Sequence, residues 1–288
     1  MSIVTTRELV DTAIRRGSAV AAVNVITLEH AEAIAMAAAS ARTAVIMQIS
    51  QNAVAFHAGQ VAPIAAATAA VAELSPVDIA LHLDHVTGLD LVKQAASRGF
   101  SSVMVDGAAL TYDDNVAFTR DAAELARAAG LWVEAELGYV GGKPDAPRSA
   151  HAAGVRTDPD EAAEFVGATG VDALAVAVGS THAMTSRDAE LDVALIRRLR
   201  DVLPVPLVLH GSSGVPLDGL HRAVEAGIRK VNVGTALNVA MTGAIRRTLD
   251  ADAQLVDPRK YLAPARDDVA RAVGAILDVV SSSSKETR

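Results

Sequence analysis

Eight short apolar runs rich in β-branched residues recur along the chain, at 19–25, 44–50, 78–85, 101–107, 131–138, 173–179, 206–211 and 230–235. No other feature restricts the fold as much. Strands that are apolar almost throughout must be covered on both faces, the situation of a parallel sheet packed under helices. Helical patterns lie between the runs, at 28–41, 89–98, 113–129, 158–168, 188–202 and 236–250. Gly99, Gly130, Gly170 and Gly227 stand just past helix ends, where a left-handed residue stops a helix. This alternation predicts an α/β fold of the (β/α)8 TIM barrel kind, a single domain over 1–280 followed by a polar tail at 281–288. A doubly wound open sheet shows the same alternation and is the alternative.

Polar residues supply a second constraint, because they gather at the C-terminal ends of the runs. They are Asn24, Ser50, Asp84 with His85, Asp106, Glu136, His182 just past its run, His210, and Asn232 with Thr235. Barrels take their catalytic groups from that end. Three of these residues are histidines, and imidazoles converging from separate strands suit a divalent metal, zinc above all, with one position left open. A lone histidine is more often satisfied by local hydrogen bonds, and His30, His57, His151 and His221 keep that reading in their helical or loop settings. His82, two residues before Asp84, is either a core histidine or a group standing behind the site. On a regular strand Asp84 and His85 point to opposite faces, so a shared mouth requires that the chain already turns at the end of this one. A carboxylate beside a metal ligand suits proton transfer, and equally a structural acceptor. Asp106 and Glu136, with Glu134 on the same face, are placed to hold a second cation, to orient ligands, or to form ordinary ion pairs.

Small residues point to an anion. Gly211, Ser212, Ser213 and Gly214 follow the seventh run, and Asn232, Val233, Gly234 and Thr235 end the eighth. Backbone N–H groups and hydroxyls in such loops cradle phosphate, and in barrels these two loops are the usual place for it. The chain has five lysines, at 93, 143, 230, 260 and 285. A Schiff base needs one projecting into the mouth. Lys230 opens the eighth run, at the opposite face, and Lys143 falls in a loop, so electron withdrawal is left to a metal. The irregular segment 139–157 follows the fifth run and is a candidate lid over the mouth.

Composition removes other classes. With no cysteine, disulfides and thiolate-bound zinc are excluded. The formal charge of −8 provides no footprint for nucleic acid or an acidic membrane surface. No basic and apolar leader opens the chain, and no apolar stretch approaches the ~20 residues of a membrane span. A cytoplasmic, soluble protein is expected.

The segments LHLDH, GFSSVMVDG, VEAELG, the stretch around His182, PLVLHGSSGV and KVNVGTALN, in this order, resemble the class II, zinc-dependent ketose-bisphosphate aldolases, which act on fructose or tagatose bisphosphate. The resemblance runs from about Asn24 to Arg266. It implies His85, His182 and His210 as zinc ligands, Asp84 as the proton-transfer group, and Asp106 and Glu136 as positions for a second divalent or monovalent cation. It implies a pocket for the dihydroxyacetone phosphate half at Gly211, Ser212, Ser213 and Asn232 to Thr235, with Ser50 facing the aldehyde half. The chemistry implied is reversible cleavage of a phosphorylated ketose, by default fructose 1,6-bisphosphate, to dihydroxyacetone phosphate and glyceraldehyde 3-phosphate. Zinc would stabilise the enediolate and Asp84 would transfer the C4-hydroxyl proton. A glycolytic homodimer or homotetramer is implied as well. The chain departs from the family pattern twice: proline, Pro144, follows Gly141-Gly142-Lys143 where relatives carry glutamate before Asp145, and Ala183, a substrate-binding position by the resemblance, stands where glycine is common, leaving its backbone less room. Metal-dependent hydrolysis and non-catalytic sugar-phosphate binding are the other readings of the same residues.

Overall fold

A computed structural model describes residues 3–138 and 156–282. Eight parallel strands close into a barrel in sequence order: β1 (Val20–Asn24), β2 (Val45–Ser50), β3 (Ile79–Val86), β4 (Ser102–Val105), β5 (Trp132–Leu137), β6 (Ala173–Val176), β7 (Leu207–Leu209) and β8 (Ile228–Val233). β8 pairs back onto β1 through Val20↔Lys230 and Ala22↔Asn232. The (β/α)8 barrel stands and the open sheet is excluded.

Both faces of the sheet are buried. The outer face packs on the helices in a large apolar cluster rich in valine, isoleucine and alanine. Inside, a smaller cluster of Val20, Ile46, Ala80, Trp132 and Val208 fills the N-terminal half of the barrel. Leu9 and Val10 plug it from below; they lie on α1 (Thr6–Arg16), which starts in a capping box between Thr5 and Glu8. Above this layer the interior turns polar, with Gln48, His82, Ser102, Glu134, Lys230 and Asn232 all buried.

The outer helices are α2 (Leu28–Ala41), α3 (Gln51–Phe56), α4 (Val61–Glu73), α5 (Leu89–Ala95), α6 (Tyr112–Ala128), α7 (Pro159–Thr169), α8 (Val193–Val202), α9 (Leu217–Ala226), α10 (Thr235–Ala251) and α11 (Pro258–Val280). Among the described residues, five of the eleven α-helices have no counterpart in the six segments expected from sequence: α1, α3, α4, α9 and α11. α11 runs through Pro264 and buries Val269, Val273 and Leu277.

Two strand limits differ from expectation with chemical consequences. β8 begins at Ile228, two residues before the expected start, so Lys230 is an interior residue of the strand and not its outer end. A register shift between Leu207↔Ile228 and Val208↔Lys230 inserts Arg229 as an extra residue, after which Lys230 and Asn232 both face inward. β6 ends at Val176, so His182 comes from the loop six residues further on.

Candidate active site

Asp84 and His85 reach the same mouth through a bulge. β3 pairs Leu83 with Val103 and then Val86 with Val105, so three steps on β3 match two on β4. His85 takes up the extra residue at φ +51, in the left-handed region. The sequence reading placed the turn at the strand's end; the structure places it inside β3, which continues to Val86. Asymmetric residues accept that backbone only at a cost of about 1–2 kcal/mol, a strain of the kind found at functional sites.

His85, His182 and His210 converge. Each offers a ring nitrogen within 4.8 Å of the others'. Ring centroids lie 5.1 Å apart for His85 and His182, 5.1 Å for His85 and His210, and 5.7 Å for His182 and His210. The supporting groups suit a metal. His85 Nδ1–H donates to Asp106 Oδ2 at 2.8 Å, which leaves the lone pair on Nε2. His210 lies between two carboxylates, Nε2 at 2.9 Å from Glu134 Oε1 and Nδ1 at 2.8 Å from Glu136 Oε2. Burial works against protonation of His210, but the hydrogen bonds and charges of Glu134 and Glu136 outweigh it and push the ring up to about 10. A cation taking either nitrogen displaces that proton, while the other nitrogen stays anchored. Burial lowers His182, which suits a neutral ligand. Asp106 and Glu136 thus stand directly behind ligand candidates, Asp106 on His85 and Glu136 on His210.

Asp84 is buried beside this cluster. Its Oδ2 lies 3.9 Å from His85 Nε2 and accepts from Gln48 Nε2 at 3.3 Å. Its Oδ1 lies 3.7 Å from His82 Nε2 and 3.4 Å from Asn232 Nδ2. Burial raises the carboxyl, yet the charge of His85 and the nearby His82 ring prevail and hold it well below the ordinary range, so the group is an anion whose oxygens are acceptors. His82 is fully buried behind Asp84, its Nδ1 2.7 Å from Ser102 Oγ, which is 2.6 Å from Thr6 Oγ1 on α1.

The cluster opens into a cavity of about 390 Å³. Ser50, Ala183, Gly211, Ser213 and Asn232 to Thr235 line it, as the sequence suggested. Ser212 is buried just behind, its hydroxyl donating to the Asn232 carbonyl. Gly211 has φ +64, and a Cβ there would stand 2.6 Å from the Thr181 carbonyl carbon, so nothing larger fits. α10 starts at the cavity wall with Gly234 and Thr235, and the N-terminal end of a helix favours an anion. Ser213 Oγ accepts from Ala236 N at 3.1 Å and ties the two loops together.

Sequence reasoning missed Gln48, Gln51, Asn52, Thr87 and Asn238, which also line the cavity. Gln48 had a legible signal: it precedes Ser50 by two residues and pairs with Asn24. His57 bonds the Ile26 carbonyl and His221 lies 3.6 Å from Glu225, outside the cluster, as expected of them. The candidate lid at 139–157, with Lys143, Pro144 and Asp145, lies outside the described residues except for its last two, as does His151.

Residues 4–285 match the family model described as Fructose-bisphosphate aldolase class-II. The chain is 36% identical over 284 residues to the fructose-bisphosphate aldolase of Geobacillus stearothermophilus, covering 98% of each. Identity to the Staphylococcus aureus fructose-bisphosphate aldolase is 34% over 287 residues, 99% of each. The crystal structure of the YdjI aldolase from Escherichia coli K12 superposes with a TM-score of 0.83 at 28% identity, covering 99% of both chains.

Proposed function

Starting from the chain's membership of the class II fructose-bisphosphate aldolase family, we propose that it cleaves a phosphorylated ketose reversibly to dihydroxyacetone phosphate and an aldehyde. Fructose 1,6-bisphosphate is the first candidate substrate and tagatose 1,6-bisphosphate the second. The observation that carries this reading is the convergence of three imidazoles beside one buried, ionised carboxylate, Asp84.

His85, His182 and His210 would hold a divalent ion, zinc by the character of the donors. When bound, the ion supplies electron withdrawal from the ketose carbonyl as carbon–carbon cleavage leaves charge behind. The chain's own residues do the rest. Asp84 accepts the C4-hydroxyl proton in cleavage and returns it in condensation. Gln48 and Asn232 hold its two oxygens and fix the direction from which it takes that proton. The N–H groups of the 211–213 loop and of the start of α10 bind the phosphate of the dihydroxyacetone half. Ser50 and its neighbours Gln51 and Asn52 face the aldehyde half. Asp106 and Glu136 orient His85 and His210 and are the places for a further cation. The same reading carries a cytoplasmic homodimer or homotetramer; among the described residues no helix is long and apolar enough to cross a membrane.

The test is turnover of a ketose-bisphosphate panel by zinc-loaded protein, with and without a strong chelator. Release of dihydroxyacetone phosphate that the chelator abolishes and zinc restores supports the reading, and the panel decides the stereochemistry at C4. Cleavage that persists after full metal removal, or no release from any member, defeats it.

A further inference from the structure

Lys230 has no part in the chemistry proposed above, yet among the described residues it is the one lysine the fold buries completely. Its Nζ lies 2.8 Å from Glu134 Oε2 and 2.7 Å from Asn232 Oδ1. A buried ammonium is costly to place, and a site that retains one has a use for a fixed donor. The use is visible in what surrounds it. An ammonium only donates, so the atom of Asn232 that meets it must be the amide oxygen. The amide nitrogen is thereby turned away from Lys230, toward Asp84 Oδ1 at 3.4 Å and past the His210 ring, whose Nε2 is 3.0 Å away. A flipped amide would set its NH2 against the ammonium at 2.7 Å and its oxygen against the Asp84 carboxylate; its one gain would be an acceptor for His210 Nε2–H, which Glu134 already accepts. Asn232 lines the cavity, so the amide that Lys230 fixes is one the substrate meets.

We propose that Lys230 is a positioning residue that locks the side-chain amide of Asn232 in the single orientation that presents its N–H groups to Asp84 and the cavity. Its consequence for turnover rests on the aldolase reading; the locking itself does not. The register shift at Arg229 belongs to the same device, because it puts residues 230 and 232 on the interior face together. Glu134 balances the charge of Lys230 and at the same time receives Nε2–H of His210.

Removing Lys230 alone strands the Glu134 carboxylate, and such a variant can fail to fold for that reason only. The informative variant is Lys230→Met with Glu134→Gln, which removes both charges and keeps an acceptor for His210. In protein labelled with nitrogen-15 at its five asparagines, the side-chain resonance pair lost in Asn232→Ala identifies Asn232. Deuterium exchange of that pair is expected to be at least about tenfold faster in the double variant. Zinc affinity, read by chelator competition, is expected to stay within about threefold, because the His210 anchor is preserved. On the substrate found by the panel, kcat is expected to fall about 10–100-fold, the range of outer-partner losses, with KM within about threefold. Added to Asn232→Ala, the same pair of changes should cost less than about threefold more. Unchanged amide exchange overturns the proposal whether or not the wild type proves to be an aldolase. So does a full multiplicative loss in the Asn232→Ala background. An inactive wild type whose Asn232 amide is released in the double variant defeats the aldolase reading alone.

Discussion

Asp84 and His85 are neighbours in the chain and face the same side of the barrel wall, because His85 sits at φ +51 in a bulge of β3. That one inserted residue sets a candidate proton-transfer group and a metal-ligand candidate side by side on a rigid strand, with 3.9 Å between Asp84 Oδ2 and His85 Nε2. A flexible loop could supply the same two side chains but not hold that spacing.

Asp84→Asn separates their roles. Asparagine keeps the shape and the contacts from Gln48 but cannot take a proton. The expected result is a loss of kcat of about 10²–10⁴-fold, the usual share of a general acid–base group, with zinc bound stoichiometrically. Steady-state kinetics together with metal analysis reads both. Equal loss of zinc and activity would assign Asp84 to metal binding instead.

The Asp106 carboxylate is expected to matter through His85. Asp106→Ala removes the acceptor of Nδ1–H, frees the ring to rotate and to change tautomer, and should weaken zinc about 10–100-fold. Chelator competition measures this directly. An unaltered zinc affinity would mean that the bulge alone orients the ring.

Much of this site was legible beforehand, for a physical reason. Catalytic groups at strand ends interrupt apolar runs, so Asp84, His85 and His210 stand out against LHL and LVL. Lys230 was not legible. Gly227 stops α9 immediately before the strand, and Arg229 in the bulge makes the first residues of β8 look like a loop, so the lysine reads as an outer end when it lies deep inside. His182 was found as a residue but its position was not, since β6 is shorter than its apolar run and the extra residues form the loop that carries it. α11 lies beyond the last expected helix and contains Pro264, whose missing N–H its other turns tolerate.

Ala183 occupies a left-handed backbone at φ +60, next to His182 and on the cavity wall. Glycine takes that conformation without the steric penalty. Ala183→Gly is expected to stabilise the protein by about 0.5–1 kcal/mol, the strain relieved less the extra freedom of the unfolded chain. Urea unfolding at constant m-value checks it. A lower midpoint in the variant would show that the methyl group contributes packing worth more than the strain.

His30 provides a pH dependence far from the metal ligands. It is buried at the start of α2, where its Nδ1 accepts from Thr27 N at 3.3 Å. Burial lowers the ring from 6.5 to about 4, against a smaller opposing effect of Glu29. A depressed folded value means that the unfolded chain binds the proton first. The stabilising difference is therefore complete above about pH 6.5 and is lost as the pH falls toward about 4. Linkage over that gap amounts to about 2 kcal/mol between about pH 7.5 and about pH 5. His30→Gln retains an acceptor for the Thr27 N–H and has no proton to gain. Its loss of stability across that interval should be about 2 kcal/mol smaller than the wild type's in urea titrations. Parallel losses in the two proteins would remove His30 from the account.

Helix α1 lies at the end of the barrel farthest from the cavity, and its Thr6 hydroxyl begins a line that runs through Ser102 and His82 to the back of Asp84. A ligand in the cavity does not meet this helix. A substitution at Thr6 nonetheless alters the hydroxyl chain that holds the His82 imidazole, and under the proposed function would reach the Asp84 carboxylate from behind. Under the same reading, residues around the mouth would select the sugar. Rate and substrate choice would then be adjustable from opposite ends of one barrel.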